Sequence, residues 1–590
     1  MIPATIDIKL LEYWLRECDK KHSHPVVPST PRTRMQSIMS RGLFRLINTS
    51  TGSVETMTSL SKYVALSYVW GKADQPNYQP LESKPISDHA PTIRDAAIIA
   101  KSVGFQWIWV DRICIDQTNE SEKAILIPYM KDIFAVAQLT IVAACGDSAQ
   151  SGLLGSPKTP RRAERPLVSI SSVSLLHVAL SINHLLEKSV WGQRGWTYEE
   201  YVFSRRLLFF LSSEVLFNCG QYIFRESMGR RPIVEKQDEI ERGIFGQHTW
   251  CNTTRLHKSL QNEPANMAGV LNINNFVRAL EEYTNRHLTV ESDRVAAIAG
   301  VIVAAMEDPM DEISERILLR HGHPLRFFEA LLTWKSFLPE RNASPKPFAP
   351  SWSWASSPDQ VKFTPIRNRV LMFPDNCWFQ YSLLHNHDIL GLPTNDNSVA
   401  CSLGLQPPDG LIADQPWMRS QFGGLSLSHE TGPLADLGLP RLHMVALVFD
   451  ARFVCGQGRE EEQHILAALG STESGYDIYK KPGVSWDMYD NWSIYPEYQP
   501  RYFPERNGSE PQPFETFAII TGRPWYSEPR TGQGPFERFY DLHVMLLEKT
   551  GRHDTYTRVG VALIRHVNEG NYFFKVFSKG RPRWQYICIV

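Results

Sequence analysis

Between residues 63 and 144, three apolar runs of strand length alternate with two stretches of helical periodicity, and this alternation restricts the fold more than any other feature. Tyr63-Val-Ala-Leu-Ser-Tyr68 reads as a buried strand. Pro91 and Thr92 open a helix whose apolar positions Ile93, Ala96, Ala97, Ala100 and Val103 share one face, with Thr92 as N-cap and Gly104 as the stop. Trp107 to Asp111 is the second strand. A second helix between Asn119 and Ala137 is either kinked by Pro128 or starts there, and Leu139 to Ala144 is the third strand. Strands joined by helical crossovers run parallel, so their carboxyl ends share one rim, where ligands bind in such sheets. The reading places on that rim Tyr68, Trp70 and Gly71, then Asp111, Arg112, Cys114, Asp116 and Gln117, then Cys145 and Asp147.

Beyond this block the texture changes. Residues 206–211 and 214–219 read as a hairpin, and 235–340 as helix-rich, with helices at Asn275 to Asn285 and Asp293 to Met306, the latter capped by Thr289 or Ser292. After Trp352 and Trp354, Pro and Gly punctuate short apolar runs such as Leu442 to Phe449 and Gly560 to Ile564, so the tail reads as β-rich. Segments 221–240 and 336–350 read as linkers, and 155–166 as a surface insertion. A chain of 590 residues holds more than one core, and the expected organisation is an extension over 1–39, an α/β domain over 40–220, a helix-rich region over 221–345 and a β-rich region over 346–590.

Composition removes several function classes. Lys+Arg 62 against Asp+Glu 63 leaves net charge -1, without the electrostatic footprint of a nucleic-acid binder. The longest apolar stretch, Val295 to Met306, is too short to cross a bilayer, so no membrane span or signal peptide is expected. The nine cysteines are scattered and never spaced as CxxC, which fits a reducing, cytoplasmic setting with no metal site.

Three ordered blocks carry a recognisable pattern: Tyr63-Val-Ala-Leu-Ser-Tyr-Val-Trp-Gly71, then Trp109-Val-Asp-Arg-Ile-Cys-Ile-Asp-Gln117 with Glu122 and Met130, then Arg194-Gly-Trp-Thr-Tyr-Glu-Glu200. Together they resemble the signature blocks of the fungal heterokaryon incompatibility (HET) domain, over roughly residues 40 to 220. The sequence departs from the usual pattern at Asp116, where Asn is common, and at Glu199, where Gln is common. The resemblance implies an intracellular protein of non-self recognition whose HET domain promotes programmed cell death by regulated association with itself or with protein partners. It also implies an analogy to the Toll/interleukin-1 receptor (TIR) domain, a flavodoxin-like fold that in some members cleaves NAD with a glutamate. No cofactor is implied, NAD being a possible substrate. No GxxxxGK[ST] loop is present, so no Walker-type NTPase is expected.

Under the nucleotide-cleaving alternative, Glu122 and Glu200 are the candidate catalytic carboxylates, and Tyr68, Trp70, Asp111, Arg194 and Trp196 the candidate ligand contacts. Each has a structural counterpart reading. Asn119-x-x-Glu122 has capping-box spacing, Asp111 at the end of an apolar strand needs a partner such as Arg112 or Arg194, and one of Glu199 and Glu200 reads as surface charge. Trp70, beside a glycine at a strand end, is placed to stack on a planar ring. Cys114 lacks a nearby histidine and reads as core.

Overall fold

In the computed structural model, the N-terminal unit, Met1–Glu307, is built on a nine-stranded sheet. The structure describes residues 2–21, 29–71, 81–161, 167–170, 173–176, 182–219, 222–234 and 273–304 of this unit. In the second unit, Asp308–Val590, it describes 321–323, 331–336, 349–357, 360–363, 379–385, 388–391, 441–449, 451–455, 464–468, 492–496, 516–527, 537–550, 555–567 and 583–589.

The first unit opens with helices α1 (Ile8–Lys21) and α2 (Ser29–Ser40), followed by the hairpin β1 (Arg45–Asn48) and β2 (Val54–Thr56). Strand β3 (Tyr63–Ser67), helix α3 (Pro91–Ser102), strand β4 (Trp107–Trp109), a single helical turn α4 (Asp111–Cys114), helices α5 (Glu120–Leu126) and α6 (Met130–Val136), and strand β5 (Leu139–Ala143) follow. All five residues of β3 and of β5 are buried, as parallel strands covered on both faces require. A small hairpin, β6 (Leu167–Ile170) and β7 (Val173–Leu176), and helices α7 (Ile182–Lys188), α8 (Val190–Gln193) and α9 (Thr197–Phe203) lead into β8 (Leu207–Phe210). The antiparallel strands β9 (Val215–Asn218), β10 (Tyr222–Arg225) and β11 (Pro232–Val234) complete the sheet.

The sheet order is β11-β10-β9-β8-β5-β3-β4-β1-β2, and β3 pairs in parallel with β4 and β5, as β5 does with β8. Numbered along the chain, the four parallel strands therefore lie in the order 2-1-3-4. The expected parallel trio is present, and the parallel arrangement also takes in β8, whose all-apolar LLFF sequence suits burial on both faces.

Local details differ from the sequence reading. The N-cap of helix α3 lies two residues earlier than expected, at Ala90, with Pro91 at the first helical position. The Thr92 hydroxyl instead donates to the Ser148 carbonyl and accepts from the Gly152 N–H. Gly104 ends that helix at φ +90°, a conformation a side chain would resist. Pro128 splits the second helix into α5 and α6 with a 3-10 turn between them, because proline has no N–H to continue the ladder. Residues 222–234, read as linker, supply β10 and β11. Of the 155–166 segment read as a surface insertion, residues 162–166 lie outside the described residues; Pro157, Lys158 and Pro160 are exposed, while Ser156 is buried and Arg161 anchors the segment through a buried 2.7 Å ion pair with Glu226. The helix Ile273–Thr284 is followed by 3-10 turns at Glu291–Arg294 and Ala296–Ile298 and a short helix Ala299–Ala304. Val290 precedes the first turn without a side-chain cap, so neither Thr289 nor Ser292 caps a long helix there.

The second unit is β-rich. Its largest sheet has eight strands, among them the long antiparallel runs Arg441–Phe449, Thr516–Ser527, Glu537–Lys549 and Thr555–Val567. Trp334, Trp352 and Trp354 are fully buried beside it in sequence order. Trp334 Nε1 donates to the Trp352 carbonyl and Trp354 Nε1 to that of Gly322. His321 and His323 pack edge-on to Trp352. Among the described residues, no helix is long and apolar enough to cross a membrane, and no three His, Cys, Asp or Glu side chains group as metal ligands.

Candidate functional site

At the carboxyl rim, β3 ends at Ser67 and is followed by Tyr68, Val69 and Trp70, and β4 ends at Trp109 and is followed by Val110 and by Asp111, the first residue of α4. Trp70 Nε1 donates to Asp111 Oδ2 at 2.9 Å, and the Arg112 N–H donates to Asp111 Oδ1 at 2.6 Å. The Arg112 guanidinium lies 5.4 Å from the Trp70 ring centroid, so this ring face carries a cation. Trp70 is thus fixed by its indole N–H and partly covered, a different setting from a freely stacking ring.

The third element at the rim is α9. Thr197 Oγ1 donates to the Trp191 and Arg194 carbonyls, and Arg286 Nη1 donates to the Arg194 carbonyl and to Thr197 Oγ1, which locks the entry to the helix. The Arg194 backbone forms a parallel bridge to His287, so the segment after Ile273–Thr284 braces this turn from outside the 40–220 block. Glu199 and Glu200 then follow in the first turn of α9, and both are buried, at 5 % and 6 % exposure. Neither is the surface charge expected for one of the pair.

Glu200 points to β3. Trp191 Nε1 donates to Ser67 Oγ at 2.7 Å, and the Ser67 hydroxyl hydrogen-bonds the Glu200 carboxyl. This relay leaves Ser67 with its single proton directed at Glu200. Burial, reinforced by the charge on Asp111, pushes the Glu200 carboxyl up to about 8, against Ser67 and Arg194, which favour ionisation. Burial also raises Asp111 to about 6, opposed by the Arg112 N–H, Trp70 and the charges of Arg194 and Arg112. Asp111 and Glu200, with Arg194, Trp70 and Ser67, therefore influence one another electrostatically, Glu200 being the more readily protonated of the two acids. Tyr68 is buried at the same strand end, while the Trp196 indole hydrogen-bonds Asp293 and packs on the core.

Glu122 stands apart from this group. Arg45 of β1 grips it with Nη1 to Oε1 at 2.6 Å and Nη2 to Oε2 at 3.1 Å, and the Asp116 N–H donates to Oε1 at 3.0 Å. Burial opposes its ionisation, but Arg45 and the Asp116 N–H outweigh it, and the carboxyl sits below its ordinary value. Only half of a capping box forms: Asn119 Oδ1 accepts from the Glu122 N–H, while the Glu122 side chain turns to Arg45 instead. Glu122 thereby ties β1 to the loop before α5.

At both departures from the usual HET pattern the carboxyl has hydrogen-bond partners. Asp116 Oδ1 accepts from the N–H and the hydroxyl of Thr118, as an amide oxygen would. Burial raises Glu199 to about 8, against Lys131 and the Gly300 N–H, so near pH 7 it is a neutral acid and stands in for a glutamine. A Cβ at Gly300 would collide with Glu199 Oε1, which explains a glycine there.

Sequence reasoning missed Ser67, Arg45 and Arg286. Ser67 had no polar neighbour in a strand to mark it, and Arg45 and Arg286 lie outside the three blocks.

The sheet and its rim define an α/β domain with a group of acidic and basic side chains at the carboxyl ends of its parallel strands. A family profile described as Heterokaryon incompatibility protein (HET) matches residues 63–200, and this chain carries that domain. The matched span runs from the first residue of β3 to Glu200. No curated protein and no solved structure matches the chain.

Proposed function

We propose that the chain acts in fungal non-self recognition as an incompatibility effector, and that its HET domain promotes programmed cell death through the acid pair Asp111 and Glu200. What carries this reading is two carboxyls at one rim, both raised by burial and Glu200 further than Asp111, which suits an acid and a base working together. The 2-1-3-4 order of the parallel strands supports the TIR and flavodoxin likeness, since that order places ligands at the carboxyl rim. Regulated association, within the cytoplasm and with protein partners or further copies, is the trigger that assembles or opens the site.

The chemistry that fits best is cleavage of the N-glycosidic bond of a nucleotide such as NAD. The C1′–N bond breaks, its electron pair neutralises the pyridinium nitrogen, and the leaving nicotinamide needs no proton. The Asp111 carboxylate faces the oxocarbenium-like centre and takes the proton of the water that adds to C1′. Glu200, protonated, donates a hydrogen bond to the bound ribose, Arg194 holds phosphate, and Trp70 with Tyr68 borders the base. Glu122 serves the fold through Arg45 in this scheme, and Trp196 braces the α9 turn.

The test is expression of the full chain in fungal cells, scored for death. Glu200→Gln and Asp111→Asn are expected to abolish death at unchanged protein level, whereas death preserved in both variants would refute a role for the pair.

A further inference from the structure

Away from the carboxyl rim, Cys18 and Cys219 meet at the other end of the strands. Cys18 lies in the last turn of α1 and Cys219 follows β9, and both are buried. Three observations place them together. The Cys219 side chain is the chief influence on the Cys18 thiol, and the Cys219 S–H itself donates to the Tyr222 carbonyl at 3.7 Å. Asp19, next to Cys18, forms a 2.7 Å ion pair with Arg206, which precedes the Leu207 that pairs with Asn218. One turn earlier on the same helix face, Trp14 stacks on Phe224 at 5.9 Å and donates Nε1 to the Gly229 carbonyl. An open groove of about 590 Å³, bordered by Asp19, Lys62, Trp107, Gln138 and Arg206, brings solvent to the Asp19–Arg206 pair beside Cys18.

We propose that Cys18 and Cys219 are a redox latch: a hydroperoxide converts them to a disulfide that fastens α1 to the sheet, and a thiol reductant releases it. The Cys18 thiolate attacks the peroxide, forming an S–O bond as the O–O bond breaks, and hydroxide or alkoxide leaves and is protonated. The Cys219 sulfur then attacks the sulfenic sulfur, the S–S bond forms, the S–O bond breaks, and the departing hydroxide takes the Cys219 proton as water. Two thiols are oxidised and one peroxide is reduced to two molecules of water, or of water and an alcohol. Cys219 and burial, with the Asp19 charge, push the Cys18 thiol well up against the weaker opposing effect of Arg206, so the reaction is slow at neutral pH and the latch answers sustained oxidant. Access requires opening of the last turn of α1, which breaks the Asp19–Arg206 pair.

The experiment treats the purified full chain with hydrogen peroxide, alkylates it in denaturant and maps it by peptide mass spectrometry, with thermal unfolding measured in parallel. The expected result is a Cys18–Cys219 cross-linked peptide, formed about tenfold faster for each pH unit between 7 and 9, reversed by dithiothreitol and accompanied by a higher unfolding midpoint. Cys18→Ser and Cys219→Ser chains should lose both the peptide and the midpoint rise. The proposal is overturned if Cys18 and Cys219 stay free when Cys145, the more exposed thiol, is oxidised. It is overturned equally if they oxidise singly without a cross-link, or if the cross-link leaves the midpoint unchanged.

Discussion

Replacing Glu200 by glutamine isolates the free energy held in the buried acid. The folded carboxyl has a pKa raised from 4.5 to about 8, so between those values the unfolded chain ionises and the folded one does not. Wild-type stability therefore falls as pH rises through that window and levels off above it. At 1.36 kcal/mol per pKa unit the full displacement corresponds to about 5 kcal/mol, and relaxation around a pair shared with Asp111 brings the working figure to about 2–3 kcal/mol. Gln keeps the shape and an acceptor for Ser67 but has no proton to lose. Glu200→Gln should thus match the wild type near pH 4.5 and exceed it by about 2–3 kcal/mol at pH 8, or about 5 °C in midpoint. Thermal unfolding followed by circular dichroism across pH 4.5 to 8 measures this directly. A gain of the same size at both ends, or a loss at pH 8, would show that Glu200 is ionised in the fold and that the acid pair has been misassigned.

Arg45→Ala leaves the Glu122 carboxylate buried without its cation, and should lower unfolding stability by about 2–3 kcal/mol in urea titration, with Glu122→Gln costing less. Gly300→Ala pushes a methyl group into Glu199 and should cost about 1–3 kcal/mol, and Glu199→Ala in the same chain should restore part of it in a double-mutant cycle. Trp14→Ala removes a fully buried ring and its hydrogen bond to Gly229, and limited proteolysis should then cut α1 at least tenfold faster, as expected for a loss of about 3–5 kcal/mol.

The centre of the fold was legible because burial on both faces leaves a distinctive trace: YVALS and LTIVA have no polar alternation, and helices of period 3.6 separate them. What was not legible depended on partners distant in sequence. Pro128 was seen, but whether it kinked or divided a helix depends on how α5 and α6 pack. β10 and β11 were hidden because Gly, Arg and Pro around them have the composition of a linker, and only pairing with β9 makes them strands. At the site, Trp70 and Asp111 were placed on one rim by topology alone, whereas Arg194 and Glu200 entered only as candidates from the third block of the resemblance. Glu122 shows the limit of that argument: the same rim logic applied to it, but Arg45, 77 residues earlier, engages both of its oxygens. The state of Glu199 was equally invisible, since neutrality near pH 7 comes from burial, which outweighs the opposing Lys131 charge and Gly300 N–H, rather than from the residue type.

The central claim is that the HET domain works through chemistry at the Asp111–Glu200 pair. Its most direct measurement is release of nicotinamide from NAD by the purified full chain, followed by chromatography, for the wild type and for Glu200→Gln, Asp111→Asn and Glu122→Gln. The account predicts turnover by the wild type, at least a hundredfold loss in the first two variants, and retention in Glu122→Gln once its folding is verified. Absence of turnover in a wild-type chain that still kills cells, or turnover indifferent to Glu200 and Asp111, would contradict it.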